Sequence, residues 1–162
     1  QMVRELIALG PESRAWIYAA DRELAHEELD IVREMLFPFL EEWTSHSKEL
    51  MCYGNIFHKR FFFFFFDESL APASGCSIDT SSRFVQQLSE KLNVNFFSRS
   101  EVYSLQNDEI KAWNLQSLSH SYAKGDFNDE TLFFDNLVPT KDAFLRRWLV
   151  PLKDSWINRF IR

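Results

Sequence analysis

Hydrophobic positions along the chain follow two rhythms, one of period two and one of helical spacing. "RAWIYAAD" (14–21) sets aromatic and β-branched residues before a polar turn, which predicts a first strand. From about 25 to 44, Leu29, Val32, Leu36, Leu40 and Trp43 recur at helical spacing, so a helix with one apolar face is expected. Glu27 and Glu28 suit its first turn, where unpaired backbone N–H groups favour carboxylates. Ala25 at the cap position supplies no oxygen, and Pro38 predicts a bend.

"KELMCYGNIF" (48–57) and "RFFFFFFD" (60–67) predict a hairpin turning at His58 and Lys59. Ser77 or Asp79 is expected to cap a second helix that buries Phe84, Val85, Leu88 and Leu92 and stops at Asn93. "NVNFF" (93–97) then predicts a short strand. The order β-α-β-β-α-β is that of a ferredoxin-like split βαβ start, in which the strand after the hairpin lies centrally, beside the first.

Further on, "EVYSLQ" and "EIKAWNL" predict a second hairpin turning at Asn107 and Asp108. A helix near 115–123 ended by Gly125, a strand at 131–138, a helix capped by Thr140 and an aromatic tail follow. No repeat or flexible linker interrupts the chain. The expectation is one α+β domain over 1–162 with a mixed sheet: a βαββαβ core at 14–98 and a hairpin and mixed helix/strand extension at 99–162.

The six consecutive phenylalanines constrain this architecture most. Side chains alternate faces along a strand, so Phe61, Phe63 and Phe65 point one way and Phe62, Phe64 and Phe66 the other. Helices on one face alone would leave three rings in water, forfeiting roughly 1.5–3 kcal/mol for each ring that could be buried. The second face therefore needs a cover. The C-terminal half offers Phe133, Phe134, Phe144, Trp148, Trp156 and Phe160; a homodimer partner is the alternative.

Composition narrows the function classes. A net charge of −6 argues against a broad nucleic-acid surface, which needs clustered Lys and Arg. Two cysteines, Cys52 and Cys76, make no disulfide framework and imply reduced thiols in a cytoplasmic setting. No Cys/His spacing suggests a metal, and no cofactor is expected. The N-terminal apolar segment is too short for a signal peptide, and no run approaches the roughly 18–20 apolar residues of a spanning helix, so a soluble protein without membrane insertion is expected.

Candidate chemistry gathers where the phenylalanine strand ends. If the hairpin turns at 58–60, residue 51 lies opposite residue 67, which brings His46 toward Asp67. His58 sits at the other tip, about 30 Å away, and is excluded from that end. "SLAPASGCSID" leads into the second helix, so Cys76 belongs near a helix N-terminus, where the thiolate is favoured. Cys76, His46 and Asp67 or Glu68 match a nucleophile, base and orienter.

A second reading uses backbone N–H groups around Ser74, Gly75, Cys76, Ser77 and Asp79 to hold a ligand, an anion if Lys141, Lys153 or a metal offsets the nearby carboxylates. The plain structural reading is that Asp67 and Ser69 end the strand, Ser77 or Asp79 caps the helix and Cys76 fills a gap.

Three blocks, "DESLAPASGCSIDTSSRF", "NLVPTKD" and "VPLKDSW", together resemble a family of small soluble proteins from Bacteroidota whose members commonly carry the label "ABC transporter ATPase". The resemblance runs roughly from Trp16 to Phe160, and "SGCSID" is its most specific part. The family has no established activity, so it implies no catalytic residue. The label conflicts with the chain, which has no "GxxxxGK[ST]" loop to cradle phosphates; only "FFFFFFDE" offers a superficial counterpart to a metal-holding strand end. Nucleotide hydrolysis by this chain alone is therefore not expected.

The resulting expectation is a binding or accessory module for a small ligand or a protein, with its site in the loop after the 61–66 strand. The alternatives are a thiol-dependent enzyme using Cys76 with His46 as base, and a structural or assembly protein whose second sheet face is a dimer surface.

Overall fold

The six phenylalanines form the middle strand of a three-stranded antiparallel sheet. A computed structural model describes residues 9–46, 51–67 and 75–161, with side chains over 9–42, 52–67 and 79–161. The elements are β1 (Arg14–Ala19), α1 (His26–His46), β2 (Met51–Phe57), β3 (Phe61–Asp67), α2 (Gly75–Leu92), β4 (Glu101–Gln106), β5 (Glu109–Asn114), α3 (Leu118–Ala123), β6 (Leu132–Phe134), α4 (Lys141–Arg147) and β7 (Leu149–Pro151). The first sheet has the order β1-β3-β2, and a second has the order β5-β4-β6-β7. An α+β protein is what the pattern requires, but all strand pairings among the described residues are antiparallel and fall into two sheets, in place of one mixed sheet.

Both faces of β3 are dry, every ring from Phe61 to Phe66 being at most 1% exposed. Phe62, Phe64 and Phe66 meet the stripes of α1 (Leu29, Val32, Leu36, Leu40) and α2 (Phe84, Val85, Leu88, Leu92). Trp43, expected in the α1 stripe, lies beyond the described side chains. The helix runs through Pro38 to His46. Opposite, Phe63 and Phe65 pack under Phe144 and Val138, while Phe61 meets Phe134, Tyr103 and Trp148. The C-terminal half thus covers the second face within one chain. Of the aromatics expected there, Phe133 and Trp156 instead serve a separate cluster with Val102, Leu118 and Leu152, and Phe160 is 39% exposed beside Trp156. Phe133 is turned away because its neighbour Phe134 faces β3, and alternation sends successive side chains to opposite sides.

The segment 93–97 is not a strand. Asn93, at φ 53°, turns the chain out of α2, and Val94 N–H closes the end on the Ser89 carbonyl at 3.0 Å. Val94 and Phe96 then plug the core, and the backbone bonds the chain just past the end of β1, where Asp21 N–H donates to the Asn95 carbonyl at 3.0 Å. The outer edge of β1, where a closing strand would pair, is met by a later segment: Ala15 N–H donates to Pro139 O at 3.0 Å, and Arg14 bridges Thr140.

Other local expectations hold with small changes. The second hairpin turns on Asn107 and Asp108 in left-handed conformation (φ 54° and 63°), the geometry that follows strand twist. Gly125, at φ 82°, ends α3 with paired backbone bonds, from its own N–H to Tyr122 O and from Asp126 N–H to Ser121 O. Thr140 Oγ1 caps α4 by accepting Ala143 N–H at 3.1 Å. The strand expected over 131–138 is only Leu132–Phe134, because Asp135 turns the chain and accepts Leu137 N–H on its side chain.

Candidate functional site

At the carboxyl end of β3, Met51 pairs with Asp67, the register the hairpin implies. Asp67 is 7% exposed, and its Oδ2 accepts Gly10 N–H at 3.1 Å. Across the same segment, buried Lys141 donates from Nζ to the Leu9 carbonyl at 2.6 Å. Its own N–H reaches Ser13 O, and Asp142 N–H reaches Pro11 O. Residues 9–13 are therefore clasped between the end of β3 and the first turn of α4. Buried charges are tolerated when they make such charge-assisted bonds, so Asp67 and Lys141 have a structural task here.

Of the other candidates at this end, Glu68 and Ser74 lie outside the described residues, as do the side chains of His46, Cys76 and Ser77. The backbone puts His46 at the last position of α1, and Gly75, Cys76 and Ser77 in the first turn of α2. Because α2 begins at Gly75, neither Ser77 nor Asp79 is its cap; both lie inside the helix, and Asp79 is exposed. Lys153 pairs with Glu130 at 2.6 Å. His58 stands in the hairpin turn against Phe61, Phe134 and Trp148, remote from Asp67 as its register requires. No group of three or more metal-ligating side chains occurs among the described residues.

A groove of about 620 Å³ lies at the opposite end of the first sheet, between the C-terminal end of α2 and the chain leaving it. Helix α2 contributes Ser82, Gln86, Ser89 and Glu90, spaced so that they share a face beside its buried stripe, and Asn93 follows directly after its last residue. Asp21, Val94, Asn95 and Phe97 complete the lining. Asp21 and Asn95 exchange bonds: Asn95 N–H donates to Asp21 Oδ1 at 3.1 Å, answering the Asp21 N–H bond to Asn95 O. Asn95 Oδ1 in turn accepts Phe97 N–H at 2.8 Å. The Phe97 ring, 41% exposed, forms a T-shaped pair with Tyr18, with centroids 5.6 Å apart and planes at 71°. Burial pushes the Tyr18 hydroxyl up from its ordinary value, with its Ser81 hydrogen bond and Arg99 opposing. Ser89 Oγ is buried with no hydrogen-bond partner.

Next along the chain from Asp21, Arg22 forms a two-pronged pair with Glu28 at 2.8 Å and also donates to Leu92 O, the final carbonyl of α2. These bonds, with Ala25 N–H, hold the Glu28 carboxyl down to about 2. The lining contains carboxylates, carboxamides, hydroxyls and one ring, but neither Lys nor Arg. It can exchange hydrogen bonds with a polar molecule and offers no ready countercharge for an anion.

The groove was not legible in the sequence, because Ser82, Gln86, Ser89 and Glu90 form no motif that sets them apart from a solvated helix face. The available signal was "NVNFF", where two asparagines and a second phenylalanine follow the helix end. No protein-family model, curated protein or solved structure matches the chain.

Proposed function

We propose that this chain is a binding or accessory module whose ligand site is the groove at the end of α2. The reading is carried by one observation: a concave surface lined by hydrogen-bonding side chains and an aromatic ring, whose backbone is already tied down by Asp21 and Asn95. Pre-ordered groups lose less freedom on binding than mobile ones. The segment that leads from β3 into the first turns of α2 is kept as a candidate second surface, with Ser74, Gly75, Cys76, Ser77 and Asp79 as its residues. We also read β1-α1-β2-β3-α2 as a ferredoxin-like split βαβ without its closing strand, a reading supported by β3 lying between β1 and β2.

Amide spectra of the isotope-labelled protein test the binding reading, using cellotetraose, spermidine, AMP and an acetylated tripeptide as four separate probes. Saturable shifts of residues 93–97 with at least one probe are expected. Groove resonances that stay still with all four would overturn it.

A further inference from the structure

We propose that the groove takes a neutral saccharide, an inference that rests on the groove being the binding surface. Charge is the first argument. Asp21 and Glu90 are the charged side chains of the lining, and no Lys or Arg faces them from it. The nearest cation along the chain from Asp21, Arg22, is committed to Glu28 and to the Leu92 carbonyl. Phosphates and carboxylates would meet like charge without compensation, a negative selection that uncharged ligands escape.

Hydrogen-bond chemistry separates a saccharide from a cation. Gln86, Asn93 and Asn95 each carry a carboxamide, which presents both donors and acceptors. A polyamine only donates, so it would leave the three amide NH2 groups without a partner on the ligand. A sugar hydroxyl donates and accepts at once, and neighbouring hydroxyls match the two atoms of a carboxamide or carboxylate. Ser89 Oγ, buried without a partner, lies behind this lining and is not itself open to a ligand.

The ring supplies the other half of sugar recognition. One face of a pyranose is a patch of C–H bonds, weakly positive and apolar, and an aromatic face is weakly negative and apolar. Phe97 is exposed enough to meet it, yet is held by its T-shaped contact with Tyr18 and by its own N–H bond to Asn95 Oδ1. The volume, about 620 Å³, falls within the roughly 300–1,000 Å³ common to small-molecule sites.

The test is a titration of the whole chain with cello-, xylo-, manno-, malto- and chito-oligosaccharides, each to about 10 mM, the range that reveals weak binding. At least one should saturate, moving the backbone amides of 93–97 and the side-chain NH2 signals of Gln86, Asn93 and Asn95. Phe97→Ala should weaken that affinity about tenfold or more, and Gln86→Ala severalfold. Both side chains lie at the surface, so unchanged amide positions elsewhere will show that the variants fold. If no oligosaccharide moves the groove, or if neither substitution alters binding, the proposal falls. Spermidine or AMP shifting the same residues in place of every oligosaccharide would overturn the saccharide while leaving the binding reading standing.

Discussion

Glu28 combines two tasks at the start of α1. Ala25 cannot cap the helix with a side-chain oxygen, and Glu28 compensates by reaching back to accept Ala25 N–H at 2.8 Å, half of a capping box. The same carboxylate receives both prongs of Arg22. Its proton affinity is therefore lower in the folded chain than in the unfolded one: about 2 against an ordinary 4.5. A depressed carboxylate stabilises the fold in full above its unfolded value and loses that contribution as pH falls through its folded one. Glu28→Gln should cost about 0.5–1.5 kcal/mol at neutral pH, modest because the partner is half in water. Thermal melts of both proteins should differ above pH 4.5 and converge toward pH 2; a gap independent of pH would refute the assignment. The acidic first turn was legible in the sequence. The Arg22 arm was not, since its partners, Glu28 and Leu92 O, belong to different helices.

At the level of elements, β3 was the most legible part of the chain, and its register shows why. Six rings in alternation admit one solution, a central strand covered on both faces, and pairing with β1 and β2 supplies it. Gly54 lies directly opposite Phe64, and a Cβ placed on it would come within 2.9 Å of the Phe64 ring. The ring is fully buried and packs against Phe39, Phe62, Phe66 and Phe84, so it has little room to retreat. Gly54→Ala should destabilise by about 1–3 kcal/mol through overpacking, measured by denaturant unfolding. A neutral or stabilising result would show that β2 can move away from β3. The short strand expected at "NVNFF" failed for a reason of the same kind. Its alternation of buried and exposed residues is real, with Val94 and Phe96 inside and Asn95 and Phe97 outside, but alternation does not supply a pairing edge.

Across the molecule, the aromatic layer on the second face of β3 joins the two halves of the chain. Phe144 stacks on Trp148 at 4.7 Å, on Phe57 at 5.7 Å and on Phe63 at 5.8 Å, and meets Phe65 edge-on at 5.2 Å. Phe144→Ala should remove about 3–5 kcal/mol and lower the melting temperature by about 6–20 °C. It should also expose β3 rings to a hydrophobic dye. A variant that melts with the parent and binds no dye would mean that another surface covers the strand.

The linear pattern was sufficient for the helix stripes, the two hairpins, the Thr140 and Gly125 helix ends and the need for a cover over β3, because each depends on neighbours close in the chain or on simple alternation. Which segments meet was a matter of competition in three dimensions. The 138–141 stretch took the β1 edge, Phe134 faced β3 while Phe133 turned to its own cluster, and Asp67 and Lys141 closed on residues 9–13. The groove belongs to this second kind of information. Its polar side chains come from a helix face, and its ring and asparagines from the loop beyond; burial of Val94 and Phe96 is what draws them into one surface.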